Sequence, residues 1–310
     1  MPELPDLTIY VEALERTVVG HRLERLDIIS PSLLKTFEPP VSALEGRTVA
    51  SVRRMGKRLV FEFVEETTGG VLLVAVHLMI AGRLRWKKVG TKLSPRMGHA
   101  AWRFAHGTLI LTEASSRKRA QLHVLADEAA LAALDAGGVE PLDIDAATFT
   151  VALRMENRTL KRALTDPRIL AGVGNAYSDE ALHRACLSPV TLTSRLSDEE
   201  CAHLHAALVA VLTEWAERLR AKTGDKFPDK VTAFHDEMAV HGKFGQPCPV
   251  CGDPVQRIVR ADNEVNYCAT CQTAGKVLAD RAISRLLGKD WPRTLEELEE
   301  KLPDRARRDT

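Results

Sequence analysis

Residues 248–271 read CPVCGDPVQRIVRADNEVNYCATC, with Cys248 and Cys251 two residues apart, Cys268 and Cys271 likewise, and sixteen residues between the pairs. Four thiolates at this spacing suit one tetrahedral zinc ion closing a β-hairpin. Two disulfides are the rival reading, and they need an oxidising compartment that nothing else in the chain supports. With cysteine at all four positions, no coordination site is left for water. The metal is therefore expected to be structural, holding a hairpin over residues 252–267 that carries Arg257 and Arg260. Cys186 and Cys201 stand apart and read as ordinary thiols.

Upstream of the cysteines the chain reads as helical. SDEECAHLHAALVAVLTEWAERLRAKTG (197–224) is a long amphipathic pattern with a capping box from Ser197 to Glu200. SDEALHRACL (178–187) suggests a helix starting at Ser178, with Asp179 and Glu180 in its first turn favouring the helix dipole. Asp145 or Thr148 could cap the first helix of this region. DAGGVEPLDID (135–145) has the Gly, Pro and acidic content of a linker.

From about residue 20 to 125 the signal changes to short apolar or alternating runs: RLERLDII, RTVASVRRMG, RLVFEFVE, GVLLVAVHLMI, AAWRFAHGTLILTE and QLHVLA. Before them Leu7, Tyr10, Val11, Leu14 and Val18 recur at helical spacing. The expected fold is α+β and multidomain. A β-sandwich or barrel with a leading helix spans 2–130, followed by a linker at 131–146, a helical domain at 147–240, the zinc hairpin at 241–275 and an extension at 276–310. GKVLADRAISRLL in the extension is a plausible amphipathic helix, and TLEELEEKLPDRARRDT an acidic then basic tail.

Composition excludes little. A hydrophobic share of 45% and a charged share of 27% are ordinary for a globular chain. No apolar run is long enough to span a membrane, and no secretory signal pattern is present, so the expected location is the cytoplasm. A net charge of +1 neither predicts nor excludes nucleic acid. A DNA-binding protein of this balance must gather its cations on one face, and clusters occur at Arg53, Arg54, Lys57 and Arg58 and at Arg117, Lys118 and Arg119.

The chain opens Met1-Pro2-Glu3-Leu4-Pro5. Initiator methionine is normally removed before a small residue such as proline, which would expose Pro2 as a secondary amine. An α-amino group has a pKa of roughly 7.7–8, so a useful fraction is unprotonated at neutral pH. Such an amine can attack the anomeric carbon of a deoxyribose and expel the base, given a neighbouring acid such as Glu3.

PELPD, RRMGKRLVFEF, HLMIAGRLR, ILAGVGNAYSDEALHRACLSP and the four-cysteine hairpin occur in that order. Together they resemble the formamidopyrimidine-DNA glycosylase/endonuclease VIII family of base-excision repair enzymes. The resemblance implies a β-sandwich, a helix–two-turn–helix domain and a zinc finger, with damaged double-stranded DNA (or single-stranded) in the cleft and the damaged nucleotide flipped out. It implies a monomer acting as glycosylase and abasic-site lyase. By motif, Pro2 is similar to the Schiff-base nucleophile, Glu3 to the acid on the sugar ring, and Lys57 to the lysine that assists elimination. The DNA-contacting set carried over is His77, Ile80, His99, Arg117, Lys161, Asn175 and Arg260. Gly172 and Gly174 would let the backbone approach phosphate ahead of a helix N-terminus.

Several positions depart from the family pattern. Asn263 stands where the finger usually has a phosphate-binding arginine linked to the second elimination, and Arg260 or Arg257 are the candidate substitutes. Met79 and Ile80 replace Gly-Met, Lys118-Arg119-Ala120 replaces Arg-Phe-Gly, His241 takes the place of a common tyrosine, and Asp6 that of the second early acid. A damage-binding protein that keeps the fold without catalysis is the alternative reading, and an adaptor acting through the zinc hairpin and tail is a third. The preferred lesion is not legible.

Overall fold

The computed structural model describes residues 1–310 except 95, 116, 229–230, 233, 261–262, 280–287, 289–290 and 302–310. It resolves into two compact units. The first comprises Met1–Gly137 with Glu214–Ala233, and the second Gly138–Thr213 with Phe234–Thr310.

The first unit is the expected sandwich. Helix α1 (Leu4–Val18) precedes strands β1 (Leu23–Ile28), β2 (Thr48–Met55), β3 (Arg58–Val64), β4 (Val71–His77), β5 (Gly82–Lys87), β6 (Gly98–Phe104), β7 (Gly107–Glu113) and β8 (Gln121–Leu125). They form two four-stranded sheets, ordered β1-β6-β7-β5 and β2-β3-β4-β8. One apolar core joins them: Leu26, Trp102 and Leu109 from the first sheet meet Val52, Phe61 and Val74 from the second. Phe61 and Trp102 stack with ring centroids 6.2 Å apart.

Helix α1 adds Leu7, Tyr10, Leu14 and Val18 to this core, the same residues whose spacing predicts the helix. Outside the second sheet, Leu131 of α2 (Glu128–Ala132) packs on Val60, Leu73 and Ala75. Strands β3 and β4 are thus buried on both faces, which explains their near-continuous apolar runs. Strand β5 is missing from the sequence reading because Arg83 and Arg85 alternate with Leu84 and Trp86. A buried face of so few residues gives a weak signal.

The second unit contains α3 (Ala146–Leu153), α4 (Leu160–Thr165), α5 (Asn175–Arg184) and the first part of α6 (Asp198–Thr223). Asp145 is the residue that caps α3, accepting from Thr148 N at 2.8 Å. The expected capping box also forms: Ser197 N donates to Glu200 at 2.8 Å, and Glu200 N to Ser197 Oγ at 3.1 Å. Helix α5 begins at Asn175, three residues before the predicted Ser178, because Gly174 supplies its N-cap. The segment read as a linker is tied into this unit, since Val139 pairs with Leu170 in an isolated parallel bridge.

The zinc hairpin is β9 (Gln256–Arg260) with β10 (Asn263–Tyr267), followed by α7 (Ala269–Thr273). In the extension, α8 (Leu295–Lys301) follows a non-helical stretch at 276–279, and Leu278 and Leu295 pack on Ile258 and Tyr267. Most of the helix expected over GKVLADRAISRLL lies outside the described residues.

Tyr10 fastens α1 to β5: its hydroxyl accepts from Leu84 N at 3.2 Å and donates to Leu84 O at 3.4 Å, fully buried. Tyr10→Phe leaves both backbone groups without that partner and is expected to destabilise the first unit by about 1–3 kcal/mol. Urea denaturation followed by Trp fluorescence checks this, and an unchanged midpoint contradicts it.

Candidate catalytic and nucleic-acid sites

The start of the chain is folded inward. Pro2 is buried and Glu3 is 2% exposed. Glu3 is the N-cap of α1. Its backbone N–H donates to Asp6 at 2.9 Å while its own carboxylate faces the Asp6 backbone, a reciprocal capping box. Asp6 is therefore more than a surface acid beside the helix dipole. Burial pushes its carboxyl up to about 7, against the pull of the Glu3 N–H, the terminal amine and Arg83.

The chain-terminal amine, which here belongs to Met1, is held below its ordinary value first by burial. Arg83 and Lys57 push the same way, against Glu3 and Asp6. Arg83 did not figure among the expected site residues. It donates to Ile80 O at 3.0 Å, inside the turn that brings β5 back from β4.

Lys57 lies in the turn between β2 and β3. Next to it, Arg58 pairs in register with His77, and His77 with Gln121. Burial, followed by Arg58, Lys57, His123 and the terminal amine, lowers His77 to about 4, so its imidazole is neutral at pH 7. Its Nδ1 accepts from Met79 N at 3.0 Å. Register thus gathers Lys57, Arg58, His77 and His123 on one sheet. Sequence shows Arg58 only as part of a basic cluster and does not show His123 at all, because their cross-strand neighbours are not neighbours in sequence.

The turn after His77 is tight. Met79 has φ +52°, and a Cβ on Gly82 would come within 2.2 Å of Leu78 O, so glycine is required there. Ile80, the expected wedge, projects into solvent with 60% exposure. Arg117 is exposed as well.

His99 is placed otherwise than expected. It is 1% exposed, with Nε2 3.0 Å from the Glu113 carboxylate. Glu113 also accepts from Arg119 N at 3.0 Å and Ala120 N at 3.2 Å, and Lys118 Nζ donates to its backbone carbonyl. The pair anchors the loop that presents Arg117.

The second unit has its own polar centre. Gly172 takes φ +78° just before α5, a conformation only glycine adopts freely. Asn175 opens the helix, and its Nδ2 donates to Glu264 O at 2.7 Å. Lys161 is also not at the surface. It is 7% exposed, and its ammonium donates to Asn175 O at 2.6 Å, Ser178 Oγ at 2.9 Å and Asp179 at 2.5 Å. The other Asp179 oxygen lies 2.8 Å from His241 Nδ1 and accepts from Asn266 N at 3.3 Å. Glu180 accepts from Ala239, Val240 and His241 N–H groups at 2.8, 2.9 and 2.9 Å. The two acids read from sequence as helix-dipole partners are in fact buried connectors.

Arg260 ends β9 directly across from Asn263; neither side chain is among those described. Arg257 lies over the Phe244 ring, 4.1 Å from its centroid, and 3.6 Å from Glu264.

The four cysteine sulfurs lie within 4.8 Å of one another, with Cys248–Cys271 at 3.9 Å and Cys251–Cys268 at 3.4 Å. A tetrahedron with Zn–S of about 2.3 Å has edges of about 3.8 Å, so the cluster fits one structural zinc ion. All these separations are well beyond the roughly 2.05 Å of a disulfide bond, which removes the rival reading. No helix among the described residues is long and apolar enough to cross a membrane.

Comparison with known proteins agrees with this layout. The formamidopyrimidine-DNA glycosylase N-terminal domain matches residues 1–122, the H2TH domain of the same enzymes residues 138–225, and the zinc finger found in FPG and IleRS residues 245–274. A formamidopyrimidine-DNA glycosylase of Thermus thermophilus is 35% identical over 282 residues, covering 89% of this chain and all of its own. An uncharacterised formamidopyrimidine-DNA glycosylase-like protein of Mycobacterium tuberculosis is 39% identical over 150 residues, 48% of this chain. Lactococcus lactis Fpg in complex with DNA containing an abasic site superposes with a TM-score of 0.76 at 26% identity, over 87% of this chain and 99% of that one.

Lys161→Met strands the Asp179 carboxylate and is expected to cost the second unit about 3–5 kcal/mol, measured by chemical denaturation. Asp6 ionises near 3.8 when unfolded and near 7 when folded. The folded chain thus holds the extra proton between those values. The associated stability is complete below about pH 4 and is lost as pH rises through 7. The Tm of Asp6→Asn should therefore gain on wild type between pH 5 and pH 8, and parallel curves would contradict the assignment.

Proposed function

From the premise that this chain belongs to the formamidopyrimidine-DNA glycosylase family, we propose that it excises oxidised bases from DNA and cleaves the strand through its N-terminal proline. The observation that carries this reading is the buried start of the chain: Pro2 and Glu3 both lie inside the fold, and Arg83 and Lys57 lie close enough to lower the proton affinity of the Met1 amine just ahead of them. After removal of Met1, the Pro2 nitrogen attacks C1′ of the damaged nucleotide. The glycosidic bond breaks, and the base departs with a proton. Glu3 protonates the sugar-ring oxygen, the ring opens, and an iminium links Pro2 to C1′.

Loss of a C2′ proton from this iminium then expels the 3′ phosphate, with Lys57 assisting. Whether a second elimination follows depends on what replaces the usual finger arginine at Asn263. Arg260, its cross-strand partner, is the favoured substitute.

DNA is held mainly through its phosphates. His77 and Arg117 contribute from the first unit and Asn175 from the second, with the Gly172–Asn175 turn offering backbone N–H groups. Ile80 is the apolar wedge that enters the stack when the damaged nucleotide leaves it. His99 and Lys161 serve this surface from behind, one through the loop of Arg117 and the other through the first turn of α5. Zinc takes no part in the chemistry, because four thiolates fill its coordination shell.

Borohydride trapping on a duplex with a single abasic site tests the mechanism. The expected result is a covalent protein–DNA adduct that maps to Pro2 by mass spectrometry. Binding without an adduct, with Met1 confirmed absent, would favour the non-catalytic damage binder. Glu3→Gln is expected to lower base excision by about 10²–10⁴-fold while leaving binding to abasic DNA intact, measured by single-turnover kinetics and gel shift.

A further inference from the structure

Positions 175, 179 and 183 fall four residues apart on one side of α5, and Leu187 lies just past the turn that ends it. Each of them touches the zinc module. Asn175 donates to Glu264 O, Asp179 accepts from Asn266 N, and Leu187 O accepts from Gln272 Nε2 at 2.8 Å. His183 goes further and reaches a zinc ligand: its Nε2 lies 3.3 Å from Cys248 Sγ. Both groups are buried, His183 at 6% exposure and Cys248 at 2%.

A cysteine bound to zinc is a thiolate and can only accept a hydrogen bond. The nitrogen facing it must therefore carry the proton, which fixes His183 as the Nε2–H tautomer. We propose that His183 is a positioning residue of the zinc centre, whose Nε2–H donates to the Cys248 thiolate and keeps that sulfur on the metal. Such a bond draws negative charge off the sulfur and lowers its basicity. Cys248 then picks up a proton, or yields to a competing ligand, less readily. With solvent excluded, no water can take the donor's place.

The consequence reaches beyond the metal. The helix that places His183 against Cys248 also places Asn175 at its N-terminus, so an intact zinc centre holds the register of α5 against the hairpin. An aromatic hydrocarbon at 183 would fill the same space without a donor, which separates hydrogen bonding from packing.

The test uses the full-length, zinc-loaded protein with His183→Phe and His183→Gln. Glutamine places an amide N–H near the position of Nε2. Zinc release to excess 4-(2-pyridylazo)resorcinol at pH 7.5 is expected to be at least about 10-fold faster for His183→Phe and close to wild type for His183→Gln. With cobalt in place of zinc, the thiolate-to-metal charge-transfer band should shift in His183→Phe and be restored in His183→Gln. If His183→Phe does not fold, His183→Met supplies the apolar replacement. Release at the wild-type rate with an unshifted cobalt band overturns the proposal. So does equally fast release from the apolar and glutamine variants, which would mean that the ring acts by packing alone.

Discussion

A fully buried carboxylate in a protein interior is tolerable only if its charge is met on every side. Asp179 meets this condition with three partners drawn from three parts of the second unit: the Lys161 ammonium of α4, the His241 ring and the Asn266 backbone of the hairpin. Removing any of them leaves charge in a dry place. The α4–α5 pair, the segment before the finger and the hairpin itself are therefore fixed together, and Asn175 is fixed with them. Glu180 extends the same constraint by capping the three backbone amides of residues 239–241.

The first unit solves a different problem. Its sandwich core is large enough to bury the start of α1 outright, and burial is what changes the chemistry there. The same desolvation that raises Asp6 toward neutrality holds the terminal amine toward its unprotonated form and His77 in its neutral form. Position relative to the core, more than any single charge partner, sets the protonation pattern at this site. Tyr10, in the middle of α1, keeps that helix locked to β5, and so keeps the chain terminus near Arg83 at the start of that strand.

Much of this layout is legible in the residues. Alternation and apolar runs mark most strands, helical spacing marks α1 and α6, and Ser197 with Glu200 marks a helix start to within a residue. Where the reading slips, a local rule competes with a tertiary one. Ser178, Asp179 and Glu180 look like a helix start because exposed acids favour a first turn, yet all three are buried and α5 begins earlier. Strand β5 carries arginines at alternate positions and too few apolar residues to be told from a charged loop. His99 and Lys161 match motif positions that the resemblance ties to DNA contact, and their burial beside Glu113 and Asp179 is not legible in the motif.

The sequence by itself determined the metal and the order of the parts. Ligand type and spacing along the chain are local properties, as are the periodicities that make a strand or a helix. Only the tertiary structure decided which charges are buried and what faces them. Arg58 meets His77 through strand register, Glu113 meets His99 across a β-ladder, and His183 meets Cys248 because one face of α5 packs against the finger. These pairings join residues far apart in sequence, and the energy of a buried charge or a zinc-bound thiolate depends on the neighbours that folding supplies, which no stretch of residues states alone.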